Sequence, residues 1–436
     1  MKLFVVCWAA CVSAAREGQT GAFDIRDFGA VAGGQHDNTG AFESAVAAVR
    51  AASGGKLVVP PGTWLTTGFN LTSNMVLWLA HGATLLGRAD FAPSANGSSV
   101  DAIGWRVRDF RARSYPPLNP PGAAAAGGVF DERYVGYQPI LGGVDLVNVT
   151  ITGENGTING QGQRWWPQRL NLTWGRPHSI FFARSSDVAL RNLTVVDSPF
   201  WSIRFHACQR ASVIDTHIFG APGCRPWRAG CSENNDGVDV DSSRQVLVER
   251  LWYDGGDDGI ALKSGKGDEG RAFNVPTSDV TARDVVLRTR SACVAIGSEM
   301  EGGVYNITMR GLRCSGSADG VRSKATKGEF PVRVANLSFV DLELHDIGLH
   351  FTNVSGWPGA GIGCTMMRDV RYENVQGNRL ITPGYFGACA NLTLRDISLD
   401  ALADFHCGNG TKPGEAITGT ARNVTPTPCA ELAPES

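Results

Sequence analysis

From residue 188 onwards, apolar residues recur in pairs five positions apart: Val188 and Leu193, Val213 and Ile218, Val246 and Leu251, Val280 and Val285, Ile307 and Leu312, Leu337 and Leu342, Val370 and Val375, Leu392 and Ile397. Successive pairs begin 22 to 34 residues apart. A unit this short and this rich in β-branched residues holds no pair of helices. Between the anchors lie Asn192, Asp215, Asp284, Asp341, Asn374 and Asp396, residues suited to turns and side-chain ladders. Short strands stacked coil on coil around one apolar centre account for the pattern. The predicted fold is therefore all-β, a single parallel β-helix or β-solenoid. A β-propeller needs about 40 residues and four strands per blade, and ranks second.

Upstream of the repeats, Thr39 is expected to cap an amphipathic helix over 40–52 that ends near Gly54-Gly55 and plugs one end of the solenoid. Short strands follow at Leu57–Val59, Trp64–Leu65, Val76–Leu79 and Thr84–Leu86, and the Pro, Gly and Ala clusters of 88–135 read as a long surface excursion. Residues 1–15 read as a secretory signal: Met1-Lys2, an apolar run from Leu3 to Ala10, then small residues before Arg16. Residues 16–436 would then form one domain in a secreted product.

Composition narrows the partners. A formal net charge of -2 gives no basic excess for a nucleic acid or a membrane surface. No later run approaches the roughly 18 apolar residues of a membrane span. A monomer is expected. Export agrees with twelve Asn-X-Ser/Thr triplets, among them Asn70, Asn148, Asn192, Asn306, Asn336, Asn391 and Asn423. Of 11 cysteines, Cys7 and Cys11 would leave with the signal. Of the rest, Cys224 with Cys231 and Cys407 with Cys429 are candidates to close disulfide loops. No paired Cys-x-x-Cys supports zinc, and neither a metal nor a cofactor is expected.

Chemistry concentrates in Asn234-Asn235-Asp236-Gly237 and Gly256-Asp257-Asp258-Gly259. Each Asp-Gly step opens an alternating run, Val238 and Val240 in one, Ile260 and Leu262 in the other. One Asp-Gly pair is ordinary turn chemistry, with Gly supplying positive φ. Its repetition at equivalent points of successive units, with a second acid beside one of them, favours a site. Asp258, Ala292 and Asp319 each lie twelve residues beyond Val246, Val280 and Ile307. Coils stack about 4.8 Å apart, so Asp236 and Asp258 should be neighbours with Asp257 beside them. Lys263, Arg322 and Lys324 fall on the same coils as a basic rim able to bind carboxylates. Three crowded carboxylates cannot all ionise cheaply, so one should retain a proton and act as general acid. An acid opposed by a carboxylate holding water is equipment for glycosidic hydrolysis, and a water-sized gap implies inversion.

These residues resemble the polygalacturonases of glycoside hydrolase family 28, right-handed parallel β-helices that hydrolyse pectin. The likeness runs from Phe28-Gly29-Ala30 through the stretch 151–162, Ser198-Pro199-Phe200-Trp201, Gly256-Asp257-Asp258 and 296–300 to 425–429. It implies cleavage of the α-1,4-galacturonosidic bonds of polygalacturonate with inversion. Asp257 would be the general acid, Asp236 and Asp258 would hold the water, and Arg322 and Lys324 would bind substrate together with Asn234 and Lys263. Asn235 stands where Thr is usual, and Ser323 replaces an apolar residue. Ser291-Ala292-Cys293 stands where many members carry Gly-His-Gly. His178 is the nearest His to stand in, and Trp165-Trp166 either stack on sugar or cap the core. Three alternatives remain open: a hydrolase of rhamnogalacturonan or decorated pectin, a calcium-dependent lyase, and a non-catalytic pectin-binding solenoid.

Overall fold

The computed structural model describes residues 21–89, 107–109, 135–168, 176–220, 232, 234–325, 333–348, 350–356, 366–380, 382–386, 390–401, 406–407, 418–425 and 433–434. The expected signal, most of the 88–135 excursion, and the candidate pairs Cys224–Cys231 and Cys407–Cys429 fall outside the described residues or their described side chains.

Each coil contributes one long strand and one short one. The long strands, such as Ser186–Val196, Gln209–Phe219, Arg244–Asp254 and Thr277–Arg288, belong to a parallel sheet of 17 strands. The short strands belong to a parallel sheet of 11. Six of these matter for the site: β1 (Ile180–Ala183), β2 (Ile203–His206), β3 (Val238–Asp241), β4 (Ile260–Lys263), β5 (Ala292–Ile296) and β6 (Asp319–Ala325). Ile180, Ile203, Val238, Ile260, Val294 and Val321 are successive partners across them, so the sheet is in register coil after coil. The chain is a right-handed parallel β-helix, as expected.

The long strands bend at residues of positive φ, one near the start of most of them and one between the anchors, where Arg250 and Gly311 serve in two strands and Asn or Asp in six. The six are Asn192 (52°), Asp215 (49°), Asp284 (55°), Asp341 (58°), Asn374 (52°) and Asp396 (52°). Asn and Asp enter the left-handed region at least cost among residues with a side chain, which is why the polar position between anchors recurs. Among the described side chains, the anchors on either side point inwards and are buried within one continuous core that runs from Ile25 to Leu399. One unit is slipped relative to the sequence alignment: Val188 and Val246 pair with Ala211, not Val213. Side chains alternate with period two along a strand, so Val213 still faces the core and the slip is invisible in the hydrophobic pattern.

Helix α1 (Thr39–Ala51) closes the N-terminal end by burying Phe42, Ala45, Val46 and Val49, with Phe42 stacked on Phe69 at 4.4 Å. Its cap is Asn38, not Thr39. Asn38 binds the Val31 backbone instead, while Asp37 Oδ1 accepts the Thr39 N–H at 3.0 Å. A disulfide joins Cys293 of β5 to Cys314, with Cα atoms 6.0 Å apart. It was not among the candidate pairs, although its separation of 21 is about that of Cys407 and Cys429, because spacing alone does not say which cysteines the solenoid brings face to face across its core. Cys208 is free and buried.

Candidate active site

Backbone bonds fix the acids before any side chain acts. Asp236 and Asp258 directly precede β3 and β4 by one glycine each, and the Gly237 N–H donates to the Asp258 carbonyl at 2.9 Å. The glycines are there for space rather than for positive φ. A Cβ on Gly237 would lie 2.4 Å from the Gly259 carbonyl, and one on Gly259 would lie 2.7 Å from that of Cys293.

One carboxylate oxygen from each of Asp236, Asp257 and Asp258 lies within 4.8 Å of the others. Around Asp258, Lys324 Nζ donates to Oδ2 at 2.5 Å, while Ser291 Oγ and the Ala292 N–H donate to Oδ1 at 2.7 and 3.2 Å. Asp257 Oδ1 accepts the Asp258 N–H at 2.9 Å, and Oδ2 accepts from the Asn234 N–H and Nδ2 at 3.2 and 3.4 Å. Arg176, fully buried, orients Asn234 by donating to its Oδ1 at 3.2 Å. Asn235 Oδ1 accepts the Gly256 N–H, and the Tyr253 hydroxyl donates to the Asp257 carbonyl.

Lys263 lies beneath the acids, 4% exposed. Its Nζ donates to Glu299 at 3.1 Å, lies 3.6 and 3.8 Å from Asp239 and Asp236, and sits 4.5 Å above the Trp201 ring. The expected basic rim is thus partly turned inwards: Lys263 and Lys324 are counter-ions of the acids. Arg322 is the most exposed of the three, with its side chain at 22%, beside Asp319.

Burial is the largest single influence on each of these acids, and it always favours the neutral carboxyl. It pushes the Asp236 carboxyl well above its ordinary value, helped by Asp239 and Asp257 and opposed by Lys263. It raises Asp257 too, with Asp258 adding to the shift against Lys324 and Lys263. Asp239 is pushed up to about 8, although Lys263 and Arg204 pull the other way. Asp258 alone falls below its ordinary value, because Lys324, Lys263 and the hydrogen bond from Ser291 outweigh its burial. The expectation of a proton retained on Asp257 through like charges is therefore modified. Desolvation is the larger cause, and Asp236 and Asp239 share the tendency.

His178 is fully buried, stacked on Phe181 and packed against Phe200 and Trp201. A ring so enclosed offers no surface to a sugar, so it does not stand in for the absent His. Trp165 and Trp166 are buried as well, Trp166 donating to the Ser198 carbonyl. They belong to the core.

Residues 131–412 match glycosyl hydrolases family 28. The chain belongs to this family. It is 34% identical over 309 residues to a probable polygalacturonase of Vitis vinifera, covering 69% of this chain and 56% of the relative. To polygalacturonase-2 of Solanum lycopersicum it is 24% identical, covering 64% of this chain and 59% of the relative. The chain thus spans less than two thirds of the length of these relatives. Among solved structures, an exopolygalacturonase of Thermotoga maritima superposes with a TM-score of 0.66 at 20% identity, covering 90% of this chain and 92% of that one, which shows the shared fold.

Sequence reasoning overlooked Asp239, Glu299, Ser291, Tyr253 and Arg204. Asp239 carried a signal: it alternates with the inward Val238 and Val240, so it shares the outer face with the acids. Glu299 and Ser291 come from other coils, and nothing in their local sequence announces which acid they meet.

Proposed function

We infer that the protein hydrolyses the α-1,4-galacturonosidic bonds of polygalacturonate in an extracellular setting. The observation that carries this reading is the meeting of three aspartates from two coils, oxygens within 4.8 Å, on the outer sheet of a family 28 solenoid. Asp257, with its pKa raised, donates the proton to the departing sugar oxygen. Asp258, held ionised by Lys324, and Asp236 beside it orient the attacking water. Oxygens this close can be bridged by one water with two ordinary hydrogen bonds of about 2.8 Å each. They are closer than the roughly 6.5–9.5 Å between the carboxyl groups of most inverting pairs, so the assignment of inversion rests on the family, in which it is general. Arg322 meets a uronate carboxylate with its guanidinium fork.

Purified protein incubated with polygalacturonate should release reducing ends without an unsaturated product. Proton NMR of the first-formed anomer should show inverted configuration. Unsaturated, chelator-sensitive product would make the protein a lyase, and a retained anomer would reassign the acids. Faster release from rhamnogalacturonan or substituted pectin than from polygalacturonate would move the substrate to those polymers.

A further inference from the structure

Asp258 differs from its two neighbours in what donates to it. Asp257 takes its hydrogen bonds from the Asp258 N–H and from Asn234, and the cation beside Asp236 is Lys263 at 3.8 Å. Asp258 is clamped on both oxygens from the next two coils, by Ser291 Oγ (2.7 Å) and the Ala292 N–H (3.2 Å) on one and Lys324 Nζ (2.5 Å) on the other. Ser291 is itself fixed. Its N–H donates to Thr289 Oγ1 at 3.2 Å, and its carbonyl accepts the Ala318 and Asp319 N–H groups at 2.9 and 3.1 Å. Thr289 in turn donates its hydroxyl to the Asp257 carbonyl. The Ser291 hydroxyl is therefore presented by a segment tied to the Asp257 loop on one side and to the start of β6 on the other.

We propose that Ser291 is a positioning residue that holds the Asp258 carboxylate ionised and fixed in orientation, so that protons taken up by the cluster settle on its neighbours. It acts within Ser291-Ala292-Cys293, the stretch that departs most from the family pattern. The charged and titratable groups around Asp258 are Asp236 and Asp239 from the preceding coil, Asp257 and Tyr253 from its own, Lys263 on β4 and Lys324 on β6, with Glu299 behind Lys263. The acids press protons onto one another, and the lysines oppose this. Ser291 adds a neutral donor bonded to Asp258 Oδ1 that also favours the ionised form of the adjoining Asp257, and that sets the pair apart from Asp236, which it does not touch. Without it, Asp258 competes with Asp236 for the same protons.

The test needs no substrate for its first arm. In protein labelled with ¹³C at the aspartate carboxyls, with Asp258 assigned by its loss in Asp258→Asn, Ser291→Ala should move the Asp258 titration upwards by about one pH unit. Ser291→Thr, which keeps the hydroxyl, should leave it in place. The second arm rests on the proposed function. On polygalacturonate, Ser291→Ala should lower kcat about tenfold with KM within about twofold, since the residue acts through Asp258 rather than on the sugar. The acid limb of kcat/KM should move upwards with the titration. An unmoved titration in Ser291→Ala overturns the proposal, and so does an equal shift in Ser291→Thr, which would mark a packing effect. A shifted titration in a protein whose wild type is inactive on polygalacturonate supports the clamp and rejects the activity.

Discussion

At the scale of single residues, the site is a matter of which donors reach which carboxylate. Asp257→Asn removes the proton donor, whereas Asp236→Asn or Asp258→Asn leaves the water unoriented, so each should lower kcat by about 10²–10⁴. The losses should not add in double variants, because all three act on one step. Steady-state kinetics on polygalacturonate checks both statements, and near-normal turnover in Asp257→Asn would reassign the chemistry. The cations separate by the same logic. Arg322→Ala should raise KM on polygalacturonate more than on methyl-esterified pectin, while Lys324→Ala should lower kcat on both, since its Nζ is 2.5 Å from Asp258. Equal KM changes on the two polymers would rule out the Arg322 contact. The three acids were legible in the sequence because their register followed from counting along repeats. The inward turn of Lys263 was not, because its partners Glu299 and Asp239 come from other coils and only packing brings them together.

At the scale of the coil, one local rule generates both the bends and a misleading signal. A corner residue in the left-handed region is followed by a buried anchor and then by an outward β-former, and when the corner is Asn and the outward residue is Ser or Thr the result is an Asn-X-Ser/Thr triplet. Asn148, Asn306 and Asn336 have φ of 58°, 56° and 58°, and Val149, Ile307 and Leu337 after them are buried. Their amides are ladder rungs: Asn336 Nδ2 donates to Asn306 Oδ1 at 2.8 Å, and Asn306 Nδ2 to Asp279 at 3.0 Å. A glycan would need that same nitrogen. Peptide mass mapping of protein from a glycosylating host should find Asn306 and Asn336 unmodified. Asn336→Ala should destabilise the fold by about 1–2 kcal/mol, because it loses the ladder bond and the polar side chain that eases the left-handed region, and Asn336→Gly, with no Cβ, should destabilise it less, as read by thermal unfolding. The repeat itself was legible because each coil must bury two anchors. The slip at Ala211 and the cap at Asn38 were not, since a two-residue shift and a one-residue shift of cap both preserve the apolar pattern.

For the whole molecule, stability against pH is set by two opposed classes of carboxyl. The surface pairs Asp187 with Arg210 and Asp215 with Arg250 hold their aspartates below the ordinary 3.8, chiefly through hydrogen bonds from the arginines. Such groups bind fewer protons folded than unfolded near that pH, so their contribution is present above 3.8 and is lost as pH falls through the folded values. Both pairs are largely exposed, and each contributes little. The buried acids work in the other direction. Asp239 is fully buried and pushed from 3.8 up to about 8, so between those limits the folded state binds more protons than the unfolded one. Its contribution is complete below 3.8 and is lost as pH rises through about 8. Asp236 and Asp257, raised likewise by burial, add to the same slope. Stability should therefore peak on the acid side of neutrality and decline towards pH 8, the cost of keeping a cluster of acids out of water. Asp239→Asn removes the largest carboxyl burden that is not proposed to touch substrate. Its melting temperature should exceed that of the wild type at pH 8, and the difference should shrink towards nothing near pH 4. Thermal unfolding across that range decides the matter. A difference that is constant with pH, or that grows as pH falls, would mean that Asp239 is held ionised by Lys263 and that the cluster stores its proton elsewhere.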